Sequence, residues 1–197
     1  MGVLQESRIP LRPAPGRAGD GAGAPGGPCA GWTRLRFDMQ RQLQSQWCWA
    51  ATSVSLSRYY AKASVWTQCR LVTQITGRRS CCETGNSPEC NLPQQLGPPL
   101  ERVGILERWK DGAARYDDLR REIDEGRPMA WRIGWAGGGG HFAVIEGYQA
   151  DGERWVAVED PLFGSSDAPL AALTGGHYQG SGKWTHTYFT RRPRREG

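Results

Sequence analysis

QRQLQSQWCWAAT, residues 40–52, decides how this chain is read. Four glutamines crowd up to Cys48, and a tryptophan stands on each side of it. Ala50, Ala51, Val54 and Leu56 then give apolar faces at helical spacing, which predicts a helix from about Trp47 to Ala61 with Ser45 as its N-cap. In that placement Cys48 lies in the first turn, where free N–H groups and the helix dipole favour negative charge. A thiol attacks only as thiolate, so a helix start suits a nucleophile. It equally suits a small buried cysteine, and position alone leaves both readings open.

Before this stretch, residues 1–31 are dominated by Gly, Pro, Ala and Arg, as in PAPGRAGDGAGAPGGPCAG. Such a segment buries too little apolar surface to offset its ordering entropy, and it reads as a disordered leader or pro-segment. Ordered sequence begins near Trp32, where TRLRFDMQ (33–40) alternates like a short strand. After the first helix, SVWTQCRLVTQITG (64–77) predicts a second one ended by Gly77. RRSCCETGNSPECNLP (78–93) is a loop, QQLGPPLERVG (94–104) holds a helical turn or two, and YDDLRREIDEG (116–126) is a surface helix. The character then changes. MAWRIGW, HFAVIEGY, RWVAVED and KWTHTYFTRR are strand-like runs separated by turn residues. Helices first and strands second predict an α+β fold, with a helical half packed on an antiparallel sheet or half-barrel over residues 32–191 and a basic tail over 192–197.

If Cys48 is a nucleophile it needs a base, and the chain has three histidines. His141 follows WAGGGG and opens a strand; the glycines let the backbone pass close to a bound group, and the sheet behind aims the ring into a cleft. His186 lies inside a strand and His177 in the loop LTGGHYQG, the weaker alternative. A base needs an orienting carboxylate. Asp160 ends the run RWVAVED before Pro161; if the two strands are antiparallel neighbours, it approaches His141, while Glu159 points to the opposite face. Gln42, six positions before Cys48, is a candidate oxyanion donor together with the Cys48 backbone N–H, with Gln40, Gln44 and Gln46 as competitors.

Taken in order, Gln42-x5-Cys48-Trp49, GGHFAVIEGY and VAVEDP resemble the papain-like cysteine peptidases. QSQWCWAA is most similar to a bacterial branch that includes the avirulence protease effectors of plant pathogens, and the bacteriocin-processing leader peptidases share the histidine and Asp-Pro parts. The likeness spans about Phe37 to Phe163. It implies a papain-like fold with Cys48 as nucleophile, His141 as general base and acid, Asp160 as orienter and Gln42 as oxyanion donor. It further implies an endopeptidase acting on protein or peptide substrates, through a thioester and without cofactor or metal. The Gly-Ser-Cys approach of plant and animal relatives is missing, so substrate contacts there do not carry over. The same site could serve a deamidase, isopeptidase or acyl transferase. A disulfide-stapled binding module without catalysis is the non-enzymatic rival.

Cys69, Cys81, Cys82 and Cys90 cluster in and beside the loop and read as two disulfides, with pairing open; Cys29 is the odd one out. A zinc site fits poorly, because no Cys-x2-Cys pair exists. Such bridges point to a secreted or exported protein; without an apolar signal stretch at the start, the alternative is cytoplasmic. No run approaches the about 18 apolar residues that span a membrane. The net charge of +5 owes much to the terminal RRPRREG, and no nucleic-acid reader motif accompanies it. The excess of Gly, Ala and Arg is that of a GC-rich bacterial coding sequence, and nothing in the chain calls for more than a monomer. Trp47, Trp49, Trp131 and Trp135 are expected in the core, where aromatic packing places most tryptophans, with a peptide groove as the alternative.

Overall fold

The computed structural model describes residues 12–13 and 31–193. The leader expected over 1–31 falls, apart from Arg12, Pro13 and Gly31, outside the described residues. So do Cys29 and the end of the basic tail.

A single antiparallel sheet organises the chain. Its strands run in the order β1 (Arg12–Pro13), β7 (Gly164–Pro169), β6 (Trp155–Asp160), β5 (Gly140–Gln149), β4 (Met129–Trp135), β8 (Gly182–Thr190) and β3 (Leu106–Asp111). Beyond Ile145, where β4 stops pairing, β2 (Trp32–Arg34) takes over the same side of β5. The TRLRFDMQ strand is thus real but shorter, ending at Arg34.

Helices α1 (Cys48–Tyr60), α2 (Gln68–Thr76) and α3 (Gly97–Arg102) form the helical half. They cover one face of the sheet through Trp49, Leu56, Leu71, Leu100, Phe142 and Val144. The expected two layers become three. On the other face α4 (Tyr116–Asp124) and α5 (Leu170–Gly175) enclose a second core of Leu119, Ile123, Trp131, Ile145, Val158 and Leu173.

Three sequence readings need correction. The cap of α1 is Trp47, with no side-chain hydrogen bond; Ser45 stands outside the helix, and its Oγ instead accepts from Asn91 Nδ2 at 2.8 Å. Strand β3 was not expected because its outer residues are mostly exposed, so it lacks an apolar face; pairing with β8 alone makes it a strand. GSSDAP is not among the strand-like runs, yet it forms β7, since every residue from Gly164 to Pro169 pairs with β6. The second helix ends as expected, at Gly77 in the left-handed region with φ 71°.

α1 is buried almost along its length, which its small residues allow. Its hydroxyls are satisfied locally: Ser53 Oγ donates to Trp49 O at 2.8 Å and Ser55 Oγ to Ala51 O at 2.7 Å. Thr52 Oγ1 reaches Phe142 O at 3.4 Å, tying the second turn of α1 to the start of β5. The Gln42 backbone N–H donates to Pro161 O at 2.9 Å, tying the approach to α1 to the end of β6. These two links set the helical half against the sheet where the candidate residues meet.

Candidate active site

Cys48 is the first residue of α1, so its N–H is among those left without an intrahelical acceptor. It is buried, and among the described residues it is the cysteine outside any disulfide. The turn before it is held from outside. Trp47 Nε1 donates to Cys90 O at 2.9 Å and Trp49 Nε1 to Leu92 O at 3.0 Å. Between them, Asn91 Oδ1 accepts from the Gln46 N–H at 2.9 Å while its Nδ2 donates to Ser45 Oγ. Both flanking tryptophans are core residues rather than walls of a groove. The loop that receives them is closed by Cys81–Cys90 and tied to α2 by Cys69–Cys82. All four cysteines of the cluster are therefore bridged, as expected, in a pairing the sequence left open.

His141 sits at the start of β5 and Asp160 at the end of β6, on neighbouring antiparallel strands. His141 Nε2 meets Asp160 Oδ1 at 2.8 Å, with both groups buried. That leaves Nδ1 as the ring nitrogen free to serve Cys48, which lies close enough to raise the proton affinity of the imidazole. Burial alone would pull the imidazole towards neutral. Hydrogen bonds with Asp160 and Cys48, and the charges on both, outweigh it and hold the pKa up at about 9. Glu159 faces the other side, where Oε1 accepts from Ser165 Oγ at 2.8 Å.

Asp160 is itself fixed by a set of donors. The N–H groups of Leu162 and Phe163 reach Oδ1 at 2.8 and 2.9 Å, and Tyr178 OH donates to Oδ2 at 2.9 Å. Burial, then the Asp160 charge, push the Tyr178 phenol well above its usual pKa, so it stays a donor. Trp135 stacks on the His141 ring at 6.2 Å between centroids, and Phe163 meets it edge-on at 5.9 Å. Tyr178 and Asn91 were missed in the sequence. Both lie in turn-rich loops where no periodicity points to a partner, and only Trp135 carried a signal, by leading towards His141.

Gln42 stands in the loop before α1, and its Nε2 donates to Gln44 O at 3.0 Å and Ser45 O at 2.9 Å. The amide thus closes the turn ahead of Cys48, while Oε1 is buried with no partner among the described residues. Among its competitors, Gln40 faces Gln68, and Gln46 engages Asn91 through its backbone. His177 is exposed on the loop after α5, and His186 pairs with Asp111 at 3.3 Å on β8; neither reaches the cluster. No group of His, Cys, Asp and Glu among the described residues has the arrangement of a metal site.

A buried thiol at a helix start, an imidazole beside it and a buried carboxylate behind the ring can together generate a thiolate and later protonate a leaving group. The match to a family of known proteins agrees with that chemistry. The model of the family described as papain-like cysteine protease AvrRpt2 matches residues 29–171. Among solved structures, the chain resembles a double glycine motif protease from an AMS/PCAT transporter, solved in complex with the leader peptide. The identity is 18%, over 80% of this chain and 93% of that one, with a TM-score of 0.43. It also resembles the Pseudomonas avirulence protein AvrPphB at 11% identity, over 78% and 96% of the two chains, with a TM-score of 0.38. No curated protein sequence matches.

Proposed function

We propose, for a chain that belongs to the AvrRpt2 family of papain-like cysteine proteases, that Cys48 is the nucleophile, His141 the general base and acid, and Asp160 the group that orients it. The observation that carries this is the convergence of the buried Cys48 thiol, His141 and Asp160, with His141 bonded to Asp160 at 2.8 Å and its proton affinity raised by both neighbours. With the His141 pKa near 9, the ring holds a proton at neutral pH and faces the sulfur as an imidazolium. The thiolate attacks a peptide carbonyl of a protein or peptide chain. The tetrahedral oxygen develops its charge beside the Cys48 N–H, at the positive end of α1. Gln42 adds a second donor by releasing one of its two loop carbonyls. His141 then protonates the departing amine, and water hydrolyses the thioester, with the ring taking the water proton.

Asp160 keeps the imidazole in the tautomer that presents Nδ1 to sulfur and stabilises its charge. We further propose that the enzyme is exported. Two disulfides staple the loop that carries the nucleophile turn, and such bridges persist in oxidising compartments. No helix among the described residues is long and apolar enough to cross a membrane.

The test is iodoacetamide titration near neutral pH, followed by mass spectrometry of a peptide mixture incubated with the protein and an added amine. The proposal expects Cys48 to be alkylated first, hydrolysis to produce new amino termini, and both to vanish in Cys48→Ala. Products that are deamidated or joined to the amine, without chain cleavage, would replace hydrolysis with acyl transfer.

A further inference from the structure

We infer that the cavity beside His141 receives an acidic side chain of the substrate, and that Arg132 selects it. This rests on the hydrolytic role proposed for Cys48. The cavity measures about 330 Å³, with the segment 93–95 as one wall and Arg132, Gly139, Gly140 and Phe142 as the other. Gly140 and Phe142 are the two chain neighbours of His141. The segment 93–95 follows Leu92, whose carbonyl anchors Trp49 beside Cys48. A peptide whose carbonyl lies between sulfur and imidazole therefore has this cavity within reach of a neighbouring side chain.

Arg132 reaches the cavity through the sheet register. It is the cross-strand partner of Phe142 in the β4–β5 pair, so both project from the same face. Its guanidinium lies against Gly140, where an added Cβ would stand 2.5 Å from Nη2 and push the guanidinium aside. Nη1 donates to Thr185 Oγ1 at 3.0 Å and Nη2 to Gly139 O at 3.2 Å. Both acceptors are neutral, and they use part of a guanidinium that carries five N–H donors.

None of the ion pairs among the described residues includes Arg132. In register its other neighbour is His186 on β8, which engages Asp111. Across the cavity, Gln94 Oε1 accepts from the Gln95 N–H at 2.9 Å, leaving the Gln94 amide nitrogen as a donor. A cation with spare donors, an amide opposite and no carboxylate among the described lining residues suit an incoming carboxylate, which a guanidinium binds with directed hydrogen bonds.

The experiment uses the full chain and a positional-scanning library of internally quenched peptides. One position flanking the cleaved bond is expected to favour Asp or Glu over Gln by about ten- to hundredfold in kcat/KM, the range of a hydrogen bond to a charged group. Arg132→Met is expected to erase that ratio while Cys48 alkylates at an unchanged rate, and Arg132→Glu to turn the preference towards Lys and Arg. Wild-type protein gives a check that needs no variant, because the Glu-to-Gln ratio should collapse as pH falls through the substrate carboxyl pKa of about 4. Cleavage without an acidic preference, a ratio untouched by Arg132→Met, or one that ignores this titration overturns the inference and leaves hydrolysis standing. Cleavage of no peptide at all overturns the hydrolytic proposal and takes this inference with it.

Discussion

His141 and Asp160 occupy adjacent strands of an antiparallel ladder, and the ladder sets their separation. Cys48 begins a helix whose approach is irregular loop, and its position depends on side chains gripping a second loop. Trp47 and Trp49 hold Cys90 O and Leu92 O, Asn91 clasps Ser45 and Gln46, and two disulfides close the receiving segment. The imidazole is thus positioned by repetitive backbone bonding and the thiol by a few non-repeating contacts. Damage to the sheet half should first alter proton affinity. Damage to the helical half should first alter where the sulfur sits.

The largest test removes the sulfur. Cys48→Ala should lower kcat by about 10⁴-fold or more while leaving the circular dichroism spectrum intact, since loss of one member disables the whole unit. Retained turnover would shift the chemistry away from this residue.

Asp160→Asn probes the sheet half and should cost about hundredfold in kcat/KM. It should also move the basic limb of the pH profile. The folded His141 pKa is raised from 6.5 to about 9, so the charged ring and the stability it brings are fully present below 6.5 and lost as pH rises through about 9. In the variant that limb should fall, because burial then acts with one support fewer. A limb that stays near 9 would mean the carboxylate does not govern the ring.

Removing the loop closure probes the other half. Cys81→Ser with Cys90→Ser should cost about 2–5 kcal/mol of stability by thermal or denaturant unfolding. At temperatures where the variant remains folded, the Cys48 alkylation rate should change while the basic limb stays near 9. A shifted limb with an unchanged alkylation rate would break the division between the halves.

Tyr178→Phe should be milder, with kcat/KM lower by about tenfold and a small shift of the same limb, as expected for one lost hydrogen bond to a charged group. The smallest effect is expected for Trp49→Phe, which loses one neutral bond to Leu92 O and should cost about 1 kcal/mol of stability on unfolding.

Residues with a local signature were legible in the chain. Cys48 stood before an apolar periodic run, and His141 and Asp160 bounded runs rich in Val, Ile and aromatic residues. The helix cap was misread because Ser45 has a suitable side chain, but Asn91 uses it. β3 and β7 were illegible because neither has an alternating apolar face, and each owes its extended form to a partner strand. The Gln42 spacing was visible, but the sequence could not reveal that its amide closes a turn. Tyr178 gave no sign at all, since its role exists only through contact with Asp160.

By itself the sequence determined the order of the main helices and of the apolar strands, the class of fold, the cysteine cluster and the residues able to do chemistry. These follow from side-chain periodicity, turn formers and residue type, which act over a few positions. Tertiary structure decided which thiols pair, that the sheet carries helices on both faces, that Arg132 lies over Gly140 and that one imidazole meets both the sulfur and the carboxylate. Those outcomes join residues far apart in the chain. They are fixed by the register of strands and the fit of buried side chains, and no short stretch of sequence contains either.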